Sequence, residues 1–212
     1  MNKRLSIALL LCLSAAPLVA CDKAPATPTA QTAKTPAAES KDPVDPDTPN
    51  IAKDSLEMKL SEEDTRALAQ VLSGYLDIQE ALANSKYPEA MAAAKKLKLD
   101  IDRVILTKRA SSKWKKMSGA FAKHTHALTE TPDLKSARVA FVTLTSDIQA
   151  FLEMFGNVTD QPVRQAFCPM AFDNKGGAWF QRSKEVDNVY YGDEMRQCGE
   201  IQKTINPTEK LM

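Results

Sequence analysis

Apolar residues recur at intervals of three and four in four consecutive stretches between residues 61 and 156. This spacing places one apolar stripe on each of four helices. The connections between the stretches are short, so consecutive helices should be antiparallel and form an up-down four-helix bundle. The four stripes are Leu68, Val71, Tyr75, Ile78 and Leu82; Ala90, Ala94, Leu97, Ile101 and Val104; Trp114, Met117, Phe121, His124 and Leu128; and Leu134, Ala137, Phe141, Leu144, Ile148, Phe151 and Phe155.

Residues that favour helix ends lie at the limits of these stretches. Ser61 and Asp64 resemble a capping box, with Asp in place of the usual Glu or Gln. Pro88 suits the first turn of the second helix, and Pro132-Asp133 suits the start of the fourth. Gly156-Asn157 is typical of a helix C-terminus. These residues predict where three of the helices begin and where the last one ends.

The pattern changes after residue 157. The runs QAFCPMAF and GAWFQR are short and rich in aromatic residues, and the glycines of DNKGG between them favour a tight turn. A β-hairpin is therefore expected, and the stretch VDNVYYGDEMRQCGEI predicts a turn or short helix that leads to another strand. Because about 45 residues are too few for a separate core, this lobe should pack on the bundle. The predicted fold class is mainly α, a four-helix bundle with a small C-terminal β-hairpin lobe.

The N-terminus has the layout of an export signal. Lys3 and Arg4 precede an apolar run from Leu5 to Ala20. The sequence Leu18-Val19-Ala20-Cys21 resembles the bacterial lipobox, so we interpret residues 1–20 as a lipoprotein signal peptide and Cys21 as the lipidated residue. Acyl chains on Cys21 would anchor the chain to a membrane without spanning it. A plain secretory signal with a chance cysteine is the alternative, and the choice between inner and outer membrane stays open.

Residues 21–58 predict a tether between the anchor and the fold. They are rich in Pro, Ala and Thr and contain few large apolar residues. Such a composition buries too little apolar surface to offset the entropy of ordering the chain. The root-mean-square reach of the tether is on the order of 30–35 Å. Residues 59–212 are then expected to form a single domain facing the periplasm.

Charge and motifs exclude several function classes. Without residues 1–20, 26 basic residues face 27 acidic ones. This balance argues against a nucleic-acid binder, which would be basic. The sequence also lacks a glycine-rich phosphate loop, a nucleophile elbow and the His-Glu-x-x-His zinc motif. We therefore predict that the protein is not an enzyme.

Cysteine and methionine occur together twice in the C-terminal lobe. Cys168 and Met170 are followed by Met195 and Cys198 in the reverse order. Soft sulfur ligands favour copper(I), so these four residues are candidate ligands for copper(I) or a similar ion. His124, on the stripe of the third helix, is a further candidate, although a histidine there is more often a hydrogen-bonded core residue.

The same two cysteines also suit a disulfide. An exported protein lies in an oxidising compartment, and Cys168 and Cys198 are thirty residues apart. Closing such a loop contributes roughly 3–4 kcal/mol in the chain-entropy model. The two methionines would then be hydrophobic fillers. Spacing alone leaves both the disulfide and the metal site open, and one state excludes the other.

The C-terminal block also carries a family resemblance. The sequence CPMAFDNKGGAWFQRSKEVDNVYYGDEMRQCG is similar to that of the bacterial domain-of-unknown-function family 3347, with its Cys-Pro-Met opening and Met-x-x-Cys-Gly close. Residues Arg138, Phe141, Leu144 and Thr145 resemble the family's Arg-x-x-Phe-x-x-Leu-Ser helix. The resemblance covers about residues 65–203. Val189 and Thr145 depart from the family's usual Pro and Ser, and Val189 lies in the turn that presents Met195.

The resemblance implies an exported protein that handles metal. Members of this family occur as exported proteins or lipoproteins, and as extensions of the periplasmic adaptors of copper- and silver-type efflux pumps. By this resemblance, Cys168, Met170, Met195 and Cys198 are carried over as ligands, and components of a heavy-metal efflux system are expected partners. The expected role is that of a scavenger, chaperone or efflux accessory. The alternative role is a structural or interaction module stapled by a Cys168–Cys198 disulfide.

Overall fold

The computed structural model describes residues 59–212. The predicted signal peptide, the lipidation site Cys21 and the tether lie outside the described residues, so these interpretations remain predictions. Within the described part of the chain, no helix combines the length and apolar character that crossing a bilayer requires.

Four long helices form the bundle that the apolar stripes predict. Each helix packs against the next in sequence, and the fourth returns to contact the first. The predicted fold class, mainly helical with a small β lobe, is therefore confirmed. The helices are α1 (Glu62–Ala83), α2 (Tyr87–Arg103), α3 (Lys108–Thr129) and α4 (Leu134–Phe155).

The core lies along the predicted stripes. All five stripe residues of α1 are fully buried, and Tyr75 stacks on Phe141 of α4 with ring centroids 4.8 Å apart. Four stripe residues are only partly buried, each near a helix end or at the rim of the core: Val104, Met117, His124 and Leu134. The apolar stripes therefore locate the core correctly and overestimate burial mainly at its edges.

The C-terminal lobe, residues 163–205, contains a three-stranded antiparallel sheet. The predicted hairpin is present as two of its strands, and the third follows the stretch VDNVYYGDEMRQC. The strand order is β2-β1-β3, so β1 is central. The elements of the lobe are β1 (Val163–Cys168), the short helical turn α5 (Ala171–Asn174), β2 (Gly177–Gln181), a 3-10 turn (Gly192–Glu194) and β3 (Glu200–Ile205).

Two tyrosine hydroxyls bind the backbone of the edge strand β2. The Phe180 N–H donates to the Tyr75 hydroxyl on α1 at 3.1 Å, and the Tyr190 hydroxyl donates to the Ala178 carbonyl. Tyr75 also lies 2.9 Å from the Thr145 hydroxyl on α4. One backbone N–H of the edge strand is thus satisfied by the bundle, and one carbonyl by a tyrosine of the lobe itself.

Asp64 links the first turns of two helices. The Ser61 hydroxyl accepts from the Asp64 N–H at 3.0 Å, which is the serine half of the predicted capping box. The Asp64 carboxylate instead accepts from the Thr107 N–H at 2.9 Å and from the Thr107 hydroxyl at 2.5 Å. Thr107 precedes α3, so one carboxylate joins the α1 and α3 ends of the bundle.

We predict that Asp64→Asn destabilises the domain by about 1–2 kcal/mol at pH 7, because a charged acceptor of two hydrogen bonds is lost. Burial acts to raise the pKa of Asp64, but the bonds from Thr107 and Ser61 outweigh it and lower the pKa below 3.8. Because the pKa of Asp64 is lower in the folded state than in the unfolded state, the ionised carboxylate stabilises the fold at pH values above the unfolded-state pKa. This stabilisation is lost as the pH falls from about 3.8 through the pKa of the folded state. Urea unfolding of both proteins at pH 7 and pH 3 measures the difference.

Glu63→Gln provides the control, because Glu63 is an exposed acid in the same turn. It should leave stability within about 0.5 kcal/mol of the parent. A difference between parent and Asp64→Asn that stayed the same at both pH values would contradict the assigned role of the charge.

Candidate functional site

The structure brings Cys168 and Cys198 together. Cys168 is the last residue of β1 and is fully buried, whereas Cys198 is half-buried in the segment before β3. Their Sγ atoms are 2.9 Å apart, and both are free thiols. Two distant parts of the sequence therefore supply one sulfur pair, as both the metal and the disulfide hypotheses require.

Gly199 lets the chain pass close to β1 beside this pair. Its φ angle is +125°, a region that favours glycine, and a Cβ there would lie 2.5 Å from the Phe167 carbonyl oxygen. A larger residue would push the 198–200 segment away from β1. The Cys-Gly order thus has a steric reason: glycine allows Cys198 to approach Cys168.

Asn188 organises the loop that carries Cys198. Its amide nitrogen donates to the Cys198 carbonyl at 2.7 Å. Its amide oxygen accepts from the N–H groups of Tyr190 and Tyr191 at 2.8 and 3.0 Å. The side chain is fully buried, and its backbone N–H donates to the Arg196 carbonyl. A single asparagine therefore fixes both ends of the 188–198 loop.

The two methionines lie on the segments that adjoin the sulfur pair. Met170 follows Cys168 by two residues and is 45% exposed, and its carbonyl accepts from the Tyr191 hydroxyl at 2.6 Å. Met195 is half-buried, and its carbonyl accepts from the Cys198 N–H at 3.0 Å. Tyr191 thus connects the Met170 segment to the loop of Met195 and Cys198.

The environment of the pair keeps Cys198 protonated. The pKa of the Cys198 thiol is raised, first by its hydrogen bond with Cys168, then by burial and by the negative charge that Cys168 would carry. Reactive cysteines have a lowered pKa, and their thiolate is the attacking species. The raised value is therefore the reverse of the arrangement that activates a nucleophile. A metal ion at this pair would have to displace the thiol protons.

The donor chemistry of the pair fits a soft ion once the sulfurs separate. Two thiolates bound at about 2.3 Å to one tetrahedral ion lie roughly 3.8 Å apart, about 1 Å more than here. Cys198 lies in an irregular loop, so it can supply this movement while Cys168 stays in the sheet. Within residues 59–212, no group of three or more His, Cys, Asp or Glu side chains could hold a metal.

Arg138 on α4 packs under the loop that carries Cys198. Arg138 on α4 donates from Nη2 to the Leu82 carbonyl at 3.0 Å and to the Ser85 hydroxyl at 3.1 Å. A Cβ on Gly192 would lie 2.1 Å from the same nitrogen, so only glycine fits over the guanidinium. Burial lowers the pKa of Arg138, and the nearby carboxylates of Glu194 and Asp193 oppose this. Arg138 thus packs under the 192–194 turn.

His124 has a partner in the bundle. Its Nδ1 lies 2.8 Å from Asp147 Oδ2 on α4, and its side chain is 32% exposed. Burial raises the pKa of Asp147, and the hydrogen bond and charge of His124 act against this rise. The histidine is hydrogen-bonded, as expected for this stripe, and its partner is a carboxylate rather than a sulfur ligand.

Sequence reasoning missed Asn188, Tyr75 and Gln181 as residues that shape the site. Gln181 is fully buried, and its amide oxygen accepts from Trp179 Nε1 at 2.8 Å and from the Asp187 N–H at 3.1 Å. It therefore anchors the start of the loop that Asn188 organises. The sequence offered one signal for two of these residues, because Gln181 and Asn188 are amide side chains within runs that are otherwise rich in aromatic residues.

Comparison with known families identifies the helical part of the chain. Residues 71–160 match the family described as a protein of unknown function, DUF3347. The matched family is the one that the sequence resembles. The match runs from the middle of α1 to the residues after α4, so the Cys-Met block of the lobe lies beyond it. No curated protein and no solved structure matches the chain.

The DUF3347 segment and the lobe nevertheless make direct contacts. Two of these contacts involve Arg138 and Thr145, which belong to the helix that resembles the family pattern. Arg138 packs under the 192–194 turn, and Thr145 binds the tyrosine that accepts from β2. The family helix thus contributes polar contacts that position the lobe.

We predict that Asn188→Ala destabilises the domain by about 2–4 kcal/mol, because three buried backbone groups lose their partner. The loop should also release Cys198, so alkylation of its thiol by iodoacetamide should become faster than in the parent. Chemical unfolding and mass spectrometry of the alkylated protein measure the two effects.

Gln202→Ala is the matched control, because Gln202 is an exposed amide residue on β3. It should change neither stability nor alkylation appreciably. Unchanged alkylation of Cys198 in an Asn188→Ala protein that remains folded would show that other contacts hold the loop.

Proposed function

We propose that this chain is a membrane-tethered periplasmic lipoprotein whose Cys168–Cys198 pair binds a soft metal ion, copper(I) or silver. In this role it acts as a scavenger, a chaperone or an accessory of heavy-metal efflux. The lipid anchor is Cys21, and the partners are components of an efflux system. The observation that carries the proposal is the convergence of two free thiols at 2.9 Å in a lobe with a methionine beside each.

The donor set supports a soft ion over a hard one. Thiolate and thioether sulfur select copper(I), silver and related ions, whereas calcium and magnesium prefer oxygen ligands. Cys168 is held by the central strand, and Cys198 by a hydrogen-bonded loop. Such a pair presents its sulfurs with little loss of side-chain freedom on binding.

The exposure of the lobe supports exchange of the ion with a partner. Met170 is 45% exposed, and Tyr191 beside it is half-buried. An incoming ion can therefore meet a thioether before it reaches the buried Cys168. Transfer between soft ligands at an accessible edge suits a carrier or scavenger more than a permanently buried structural metal.

We predict that silver(I), used as an oxygen-stable probe for copper(I), stabilises the reduced lipoprotein. Saturation at about a hundred times the dissociation constant should raise the melting temperature by roughly 5–10 °C. The Cys168→Ser, Cys198→Ser double variant should lose the shift. Circular dichroism during heating, with and without silver, measures both proteins in the same detergent.

Methionine variants refine this test. Met170→Leu should weaken silver binding while leaving the melting temperature without metal nearly unchanged. Met154→Leu, at a half-buried methionine on α4, is the control and should bind as the parent does. No silver-dependent shift in the reduced parent, or an equal shift in the double serine variant, would refute the proposed site.

A second candidate is favoured by the sulfur separation itself. At 2.9 Å the sulfurs lie about midway between the roughly 2.05 Å of a disulfide bond and the roughly 3.8 Å expected across one tetrahedral ion, so closing a disulfide needs no larger movement than admitting an ion. In that case the domain is a structural or interaction module stapled at Cys168 and Cys198. Metal binding needs both sulfurs as reduced thiolates, whereas a disulfide is their two-electron oxidation product, so the two states exclude one another.

A thiol count separates the two candidates. Protein isolated from the periplasm without reductant should show two alkylatable thiols per chain if the pair serves metal binding, since the lipidated Cys21 does not react. The staple predicts no free thiol, and reduction should then cost roughly 3–4 kcal/mol of stability.

A further inference from the structure

Positive charge is segregated on α3 although the chain as a whole is nearly neutral. From Arg103 to Thr129 the sequence contains seven basic residues and no acidic one. Three of the lysines are fully solvent-facing: Lys115, Lys116 and Lys123. The helix α2 differs, because its three lysines are followed within one turn by Asp100 and Asp102.

The charges of α3 are not neutralised by neighbours. On α2, Lys96 pairs with Asp100 at 2.7 Å and Lys98 pairs with Asp102 at 3.0 Å. No ion pair in the described part of the chain engages a lysine of α3 between residues 113 and 123. The acids on α4 have other partners, since Asp147 binds His124 and Glu153 accepts from Gln149. The face of α3 therefore carries net positive charge.

An apolar side chain protrudes beside this charge. Ile105, in the turn between α2 and α3, is 88% exposed, compared with 50% for Leu99 on α2. Its neighbours Val104 and Leu106 pack against the core, so the turn is anchored while Ile105 points outward. The exposed residues between the lysines of α3 are small, Gly119 and Ala120 among them, so the ammonium groups stand clear of the helix.

The chain enters the described fold at this same end of the bundle. Asp64, in the first turn of α1, binds Thr107 two residues after Ile105. The start of α1, near the beginning of the described residues, therefore lies next to the Ile105 turn. A membrane anchor on that side would bring this end of the domain toward the bilayer first.

We propose that Ile105 and the exposed lysines of α3, Lys115, Lys116 and Lys123, form a surface that docks on anionic phospholipid headgroups. Charge complementarity selects the occupant, because lysine clusters bind anionic lipid and an adjacent exposed aliphatic residue enters the headgroup region. The proposal depends on the proposed lipid anchor at Cys21 in one respect, because the anchor decides which end of the domain approaches the membrane first. Docking would hold the domain against the membrane in spite of its long tether.

Hydrogen exchange on the anchored lipoprotein tests this proposal. The mature chain is reconstituted into vesicles of phosphatidylcholine alone or with 30% phosphatidylglycerol. Exchange of residues 104–107 should be about tenfold slower on the anionic vesicles, because each lysine contributes roughly fivefold to the docking equilibrium. High salt should remove the difference by screening.

Matched variants locate the docking surface. Lys115→Glu with Lys116→Glu should weaken docking by at least about 25-fold, and Ile105→Ser should also reduce the protection. The controls are Lys175→Glu with Lys184→Glu, two exposed lysines of the lobe, and Val139→Ser, an exposed aliphatic position on α4. These control variants should keep the full protection of residues 104–107 from hydrogen exchange on the anionic vesicles.

Flotation of the same vesicles separates this proposal from the anchor. If the protein floats with both vesicle types but its hydrogen exchange is the same on both, the anchor is supported and the proposed docking on lipid is refuted. The lysine surface would then fit an acidic protein partner. Flotation on anionic vesicles alone supports docking and counts against the anchor. Absence of flotation on either vesicle type overturns both.

Discussion

The buried hydroxyl of Tyr75 joins the two parts of the domain. A three-stranded sheet of this size has no core of its own, and its edge strand would expose backbone groups. Tyr75 accepts from Phe180 of that strand and shares a hydrogen bond with the Thr145 hydroxyl of α4. Burial raises the pKa of Tyr75, so the hydroxyl stays protonated and keeps both roles. The position of the sheet, and hence of Cys168, depends on this contact.

The sulfur pair combines one fixed and one adjustable member. Cys168 ends the central strand, which is bonded on both sides. Cys198 instead depends on Asn188 and on the close passage of Gly199 beside β1. A change in sulfur separation of about 1 Å therefore requires movement of the loop alone. The proposed metal site and the proposed disulfide both require such a change in sulfur separation, and neither requires a change in the bundle.

The bundle was predictable from the sequence because the buried residues of each helix are close together in the chain and recur at the period of a helix. The contacts that shape the site were not, since they join residues far apart in the chain. Asp64 resembled half of a capping box and binds Thr107 instead, 43 positions away. Tyr75 looked like a core aromatic, and its hydroxyl reaches a strand 105 positions away. Cysteine and methionine spacing identified a sulfur pair, but not the asparagine that holds it.

The arrangement of the helices also decides which surface remains open when the domain is held at a membrane. The lobe packs mainly on α1 and α4, whereas α3 packs on α2 and α4 and turns its lysines away from the core. In an up-down bundle α1 and α3 are diagonal, so the lysine face and the lobe lie on different sides. If α3 docks on a membrane as proposed, the lobe that carries Met170 packs on helices other than the one that faces the bilayer. The proposed docking surface and the proposed metal site therefore belong to separate parts of the domain and do not compete for the same residues.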